Sequence, residues 1–163
     1  MAENIDPLIE NTTDVNPETV GLGRTTLEFD EVTTSFIPTD NGDGERGIDD
    51  FINVTANLLD PVTGQVIATK EATYTAIKQR GNGDIIARGE ETITFLDDGD
   101  QIFISGKFNQ TDNEAGETNK LRIVGGTGDY ENAKGFEFFT QTGDAGTGLY
   151  DSTLVIVGTP DLI

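Results

Sequence analysis

From Arg24 onward, short runs of alternating apolar and polar residues are separated by Gly, Pro, Asp and Asn, the pattern of strands joined by turns. The first run is Thr25 to Ile37, with Leu27, Phe29 and Glu31 on one face and Glu28, Asp30 and Val32 on the other. A loop, 38–47, follows. The second run, Ile48 to Leu59, sets Ile52, Val54, Ala56 and Leu58 against Phe51, Asn53, Thr55 and Asn57. Asp60-Pro61-Val62-Thr63-Gly64 reads as a turn, and the third run, Gln65 to Ile77, carries Val66, Ala68, Lys70, Ala72 and Tyr74 on one face.

Gly81-Asn82-Gly83 makes the next turn, before a fourth run at Asp84 to Leu96. Asp97-Asp98-Gly99 is a hairpin signal leading to the fifth, Gln101 to Phe108. A polar loop, 109–117, precedes the sixth at Thr118 to Val124. The seventh and eighth span Lys134 to Thr142 and Gly148 to Val157. Eight strands with short connections and no convincing helix favour antiparallel neighbours, and an up-and-down β-barrel closes such a sheet without exposed edges. A two-sheet sandwich is the alternative. Apolar residues on both faces, as at Ile85-Ile86, Ile102-Phe103 and Phe138-Phe139, suit wrapping on both sides or an outer face covered in an oligomer. Residues 1–22 are polar, contain Pro7 and Pro17 and lack periodicity, so they read as a flexible arm before a single domain at 23–163.

Composition narrows the chemistry. The chain of 163 residues has 30 acidic and 10 basic side chains and a net charge of −20, which disfavours nucleic acid and anionic membranes as partners. The plain reading of that charge is a solvated acidic surface. No His or Cys is present, so a Ser-His-Asp triad, a Cys nucleophile and a tightly held zinc ion are not expected, and no metal site is assigned. Carboxylates, Lys, Arg, Tyr, hydroxyls and the shape of a pocket remain. The N-terminus lacks the basic and apolar regions of a signal peptide, and Leu154 to Val157 is too short to span a membrane, so a soluble, cytoplasmic protein is expected.

The stretch LRIVGGTGDYENAKGFEFF, Leu121 to Phe139, joins the sixth and seventh strands through a glycine-rich corner. A dinucleotide fingerprint would need a third Gly and a following helix, and Asp129, Tyr130 and Glu131 provide neither. Val124, Gly125, Gly126, Thr127, Gly128, Asp129, Tyr130, Ala133, Lys134 and Gly135 instead resemble the signature of the dirigent proteins and allene oxide cyclases. Lys70 to Tyr74 resembles the family's small-residue-then-Tyr strand, and Phe95 to Phe108 its hairpin before the glycine signature, so the similarity spans 24–158.

That resemblance implies an eight-stranded antiparallel barrel, here of bacterial type, that works without a cofactor and holds a hydrophobic small molecule while steering its cyclisation or coupling. It also implies a homo-oligomer, a dimer or trimer. An enzyme of this kind, a cyclase or isomerase, would combine orientation with acid assistance. A stereo-directing or ligand-binding protein without bond-making groups is the alternative, and a calcium-dependent module a third.

The candidate catalytic residues are Glu28, Asp30, Glu31 and Asp129. Glu28 and Asp30 resemble in spacing the Glu and Asn of the first cyclase strand, with Asp30 in place of the amide; a dirigent Asp aligns with Asp30 or Glu31. The facing of this strand is open, because alternation alone does not set it. Asp129 and Lys134 match an acid and a base of the dirigent signature, where the base is usually Arg; an exposed ion pair is the plainer reading. Lys70, Glu91 and Asp151 are charges on otherwise apolar faces, hence paired inside the barrel or displaced by one register step. Tyr74 shares the face of Lys70 and is placed to meet a pocket ligand, while Phe136, Phe138 and Tyr150 read as core or pocket wall. The loop from Thr39 to Asp50 partly matches a calcium loop at Asn41, Asp43 and Gly44, but Thr39 and Arg46 break the pattern and a lid over the barrel mouth is the preferred reading.

Overall fold

The computed structural model describes residues 24–41, 47–144 and 146–157. The expected arm at 1–22 lies outside these residues, as does the middle of the 39–50 loop. Eight strands form a closed antiparallel barrel in sequence order: β1 (Arg24–Thr39), β2 (Phe51–Leu59), β3 (Val66–Gln79), β4 (Ile85–Phe95), β5 (Gln101–Asn109), β6 (Asn119–Gly126), β7 (Lys134–Gln141) and β8 (Leu149–Val157). β8 pairs back onto β1 from Arg24↔Val157 to Val32↔Leu149, so no edge is left open. The barrel, not the sandwich, is the architecture.

The segment expected to be a polar loop holds one short helix, α1 (Gln110–Glu114). Asn109 caps it, its side chain accepting from the Asp112 backbone N–H. Among the described residues no helix is long and apolar enough to cross a membrane.

The closed sheet fixes the facing that alternation left open in the first strand. Phe29 and Glu31 are buried inside the barrel while Glu28 and Asp30 are exposed. β2 and β3 turn Val54, Ala56 and Leu58, and Ala68, Lys70 and Ala72, inward. In β7 the inward residues are Glu137 and Phe139, so Phe136 and Phe138 lie outside rather than lining a pocket. The Phe136 ring instead lies under two cations, Lys120 Nζ at 4.8 Å and Arg122 Cζ at 5.6 Å from its centroid.

Two glycines of the signature stretch answer to close packing. A Cβ on Gly126 would collide with the Gln101 backbone oxygen, and one on Gly135, at φ +131°, would collide with the Val155 oxygen. Between them Gly128 to Tyr130 forms a single 3-10 turn, and Tyr130 tucks under the barrel to stack on Phe95 with ring centroids 5.0 Å apart. Phe95 in turn meets Phe29 at 6.4 Å. These rings, with Leu58, Ile93, Ile102, Ile123 and Ile156, fill that half of the barrel. The other half is hollow.

Candidate active site

The hollow half is a cavity of about 580 Å³ that opens between α1, the β7–β8 connection and the ends of β1 and β2. Its wall is aromatic on one side: Tyr74 meets Phe108 edge-on at 5.6 Å, Phe108 meets Phe139 at 5.4 Å, and Phe139 meets Tyr150 at 6.5 Å. Ile52 and Val54 add aliphatic surface, and Gln110, Asn113 and Gln141 make the rim polar. Asn113 Nδ2 donates to the Tyr150 hydroxyl at 3.1 Å, which donates to Gln141 Oε1 at 3.4 Å.

At the floor of the cavity, midway along the barrel, four strands bring charged side chains together. Lys70 Nζ of β3 donates to Glu31 Oε1 of β1 at 2.7 Å and to Glu137 Oε2 of β7 at 2.8 Å. Glu91 Oε1 of β4 lies 3.2 Å from the same nitrogen. The Tyr74 hydroxyl donates to Glu91 Oε2 at 2.5 Å, and the Ser152 hydroxyl to Glu137 Oε2 at 3.0 Å. The four charged side chains are all almost completely buried.

Three carboxylates around one ammonium would leave two negative charges uncompensated, which burial penalises heavily. A proton relieves this. Among the described residues Glu91 Oε1 and Glu137 Oε1 are the two carboxylate oxygens sealed from solvent without a hydrogen-bond partner, as expected where neighbouring carboxyls hold a proton. Burial pushes the Glu91 carboxyl well above its ordinary value, and the charge and hydrogen bond of Glu137 push the same way. Burial also disfavours the Glu137 carboxylate, but Lys70 and hydrogen bonds from Glu91, Lys70 and Ser152 hold it below the usual range. The two carboxyls titrate as a pair, with Glu91 favouring the proton and Glu137 the charge.

Burial raises Glu31 as well, partly offset by Lys70. Burial works against the Lys70 ammonium, yet Glu137, Glu31 and Glu91 together raise it well above the ordinary lysine value. Lys70 therefore stays charged and is no nucleophile. Burial and the neighbouring Glu91 likewise hold the Tyr74 phenol protonated, its value well above normal. Of this cluster Glu31, Lys70 and Tyr74 line the cavity, while Glu91 and Glu137 stand behind them.

Of the residues singled out in the sequence, Glu31, Lys70, Tyr74 and Glu91 thus meet at one point, and Tyr150 lies in the cavity wall. Glu28, Asp30, Lys134 and Asp151 are exposed on the outer surface, with Asp30 directly opposite Asp151 across β1 and β8. Asp129 is exposed at the packed end of the barrel, its ligand-capable oxygen within 4.8 Å of those of Asp98 and Asp100. In the 39–50 loop both Asp50 oxygens accept from backbone, Oδ1 from Asn41 at 2.9 Å and Oδ2 from Gly47 at 2.6 Å. Glu137, central to the cluster, was missed by sequence reasoning although it shares the inward face of Phe139.

Several solved structures share this barrel. A nonspecific heme-binding cyclase that catalyses a cycloaddition during neoabyssomicin biosynthesis superposes with a TM-score of 0.73 at 22% identity, over 98% of this chain and 82% of its own. A pyocyanin demethylase gives 0.67 at 19% identity over 81% and 99%. A pterocarpan synthase dirigent protein gives 0.64 at 18% identity over 83% of each chain. At these identities the likeness is one of fold. No curated protein sequence matches the chain. The family model described as the allene oxide cyclase barrel like domain matches residues 30–156, a span that runs from β1 to β8 and takes in every strand of the cavity. The chain belongs to the allene oxide cyclase barrel like family.

Proposed function

We propose that the barrel binds a reactive, largely apolar small molecule in its cavity and steers its ring closure, using only groups of its own chain. The observation that carries this reading is the position of the charge cluster: it forms the floor of an aromatic-walled cavity rather than an isolated knot in the core. A cavity of about 580 Å³ suits a small organic ligand, and apolar walls with a few convergent polar groups are the usual form of such sites.

Walls that fold a flexible molecule toward its ring-closed shape lower the barrier by orientation. Glu31 supplies a carboxyl at the floor, and the Tyr74 hydroxyl, which donates its own hydrogen to Glu91 Oε2, offers a ligand an acceptor oxygen beside it. The cyclase and dirigent proteins that share the fold agree with a ring-forming or stereo-directing role.

The test is turnover of a linear triene bearing a tethered dienophile, read by chiral chromatography. The native protein is expected to accelerate closure to one stereoisomer, and Val54→Trp, which fills the cavity, to abolish both effects. Electrostatic assistance by Glu31 predicts that Glu31→Gln slows closure at least tenfold. A Glu31→Gln variant that keeps the rate and alters only the isomer ratio would assign the protein to stereo-direction without bond-making groups. Native protein that changes neither rate nor ratio, with a bound substrate, would overturn the proposal.

A further inference from the structure

We infer that the natural ligand carries a positively charged nitrogen, an ammonium, iminium or N-alkylated heterocycle, seated against Glu31 inside the aromatic wall. The inference rests on the cavity being the ligand site and goes beyond it by fixing the charge of the ligand.

Three independent features of the cavity agree. The first is a free acceptor. Glu31 is 6% exposed and lines the cavity; its Oε1 is taken by Lys70, and its Oε2 has no hydrogen-bond partner among the described residues. A carboxylate oxygen left bare in an apolar cavity calls for a donor from the ligand.

The second is the charge left over. Three carboxyls surround one ammonium, so even with a proton on one of them the cluster carries one more negative than positive charge. Among the described residues Lys70 is the one cationic side chain lining the cavity, and three carboxyls already claim it, so an anionic ligand finds no free cation among them. A cationic ligand supplies the missing charge. The third is the wall: Tyr74, Phe108, Phe139 and Tyr150 line the same cavity as Glu31, and aromatic rings beside a carboxylate are a general solution for binding organic cations. The net charge of −20 adds a long-range field that draws cations toward the protein.

Three probes of one shape test this: 2-naphthylmethylammonium, 2-naphthalenemethanol and 2-naphthoate, each titrated calorimetrically against the full chain. The expected order is the cation at least tenfold tighter than the alcohol, with naphthoate weakest. Glu31→Gln is expected to bring the cation down to the level at which the same variant binds the alcohol. Tyr150→Leu, which does not touch the charge cluster, should reduce the preference for the cation without reversing it.

Affinity for the cation should fall on acidification as Glu31 takes up a proton, while that for the alcohol stays flat. The groups that set this titration are Lys70 and Tyr74 from β3, Glu91 from β4, Glu137 from β7, Tyr150 from β8 and Glu114 from α1. Alcohol or naphthoate binding as tightly as the cation would overturn the inference and leave the cavity as a ligand site. Binding of none of the three to the native protein would overturn the cavity itself as a ligand site, and the inference with it.

Discussion

The Tyr74 hydroxyl and Glu91 Oε2 lie 2.5 Å apart, on adjacent strands and two residues off direct register, since Tyr74 faces Gly89 and Glu91 faces Ala72. Gly89 makes that diagonal reach possible. A Cβ there would stand 3.1 Å from the Tyr74 ring and 3.0 Å from Leu121 Cδ1, so the ring lies flat over the space a side chain would take.

Removing the phenol should leave Glu91 Oε2 buried without a partner. Tyr74→Phe is expected to cost about 1–3 kcal/mol in chemical denaturation, the usual penalty for an orphaned buried acceptor. A loss below a few tenths would mean that water takes over the contact.

Lys70 holds three carboxyls in place, and removing it removes the only charge that balances them. Lys70→Met should cost about 3–5 kcal/mol at pH 7, as expected when one partner of a buried ion cluster is deleted. The loss should shrink at pH 5, where the carboxyls accept protons more readily. Equal destabilisation at both values would show that packing of the lysine stem, not its charge, is the source.

The pH dependence of stability has a definite sign. Glu91 has a raised value, so above the ordinary carboxyl range the folded protein binds a proton that the unfolded chain has released, and its contribution is lost as pH rises toward that raised value. Glu137, whose value is lowered, acts oppositely: its contribution is present above the ordinary range and lost on acidification. Lys70, with a raised value, contributes up to strongly alkaline pH. Glu91→Gln removes the first effect, so its stability relative to the native protein should improve from pH 5 to pH 8, by up to about 1.4 kcal/mol per pH unit. Parallel curves would place the proton elsewhere.

On the outer surface Asp30 and Asp151 face each other directly, and like charges in that position are unfavourable. Asp30→Asn should raise Tm by about 1–2 °C at low salt and by less at high salt. It should leave binding in the cavity unchanged, because its side chain is on the opposite face from Glu31.

The strands and most of their facing were legible because alternation is a local property. Lys70, Ala72 and Tyr74 read correctly as one face, since small apolar neighbours marked it. β1 did not declare its facing, because Glu31 on one side and Glu28 and Asp30 on the other gave both faces charges. Only the partner resolves this: Lys70 lies 39 positions away in sequence, and no local pattern carries that information. Glu137 was hidden by its neighbours, where three phenylalanines drew attention and two of the four side chains from Phe136 to Phe139 face inward. α1 is five residues long, too short for a helical period to show, and Asn109 three positions before Asp112 was its one visible signal.

Because Lys70 draws its partners from β1, β4 and β7, the cluster ties the first strand of the chain to nearly the last. Its longest ion pair spans 67 positions, so the cluster cannot be complete until most of the chain has been laid down and the sheet has rolled shut. In any open intermediate the same four groups stand in water, where each carboxyl titrates as an ordinary one. The proton shared by Glu91 and Glu137 is therefore acquired in the act of closure, and its uptake on refolding at neutral pH, followed with a pH indicator dye, would time the moment at which the barrel becomes a barrel.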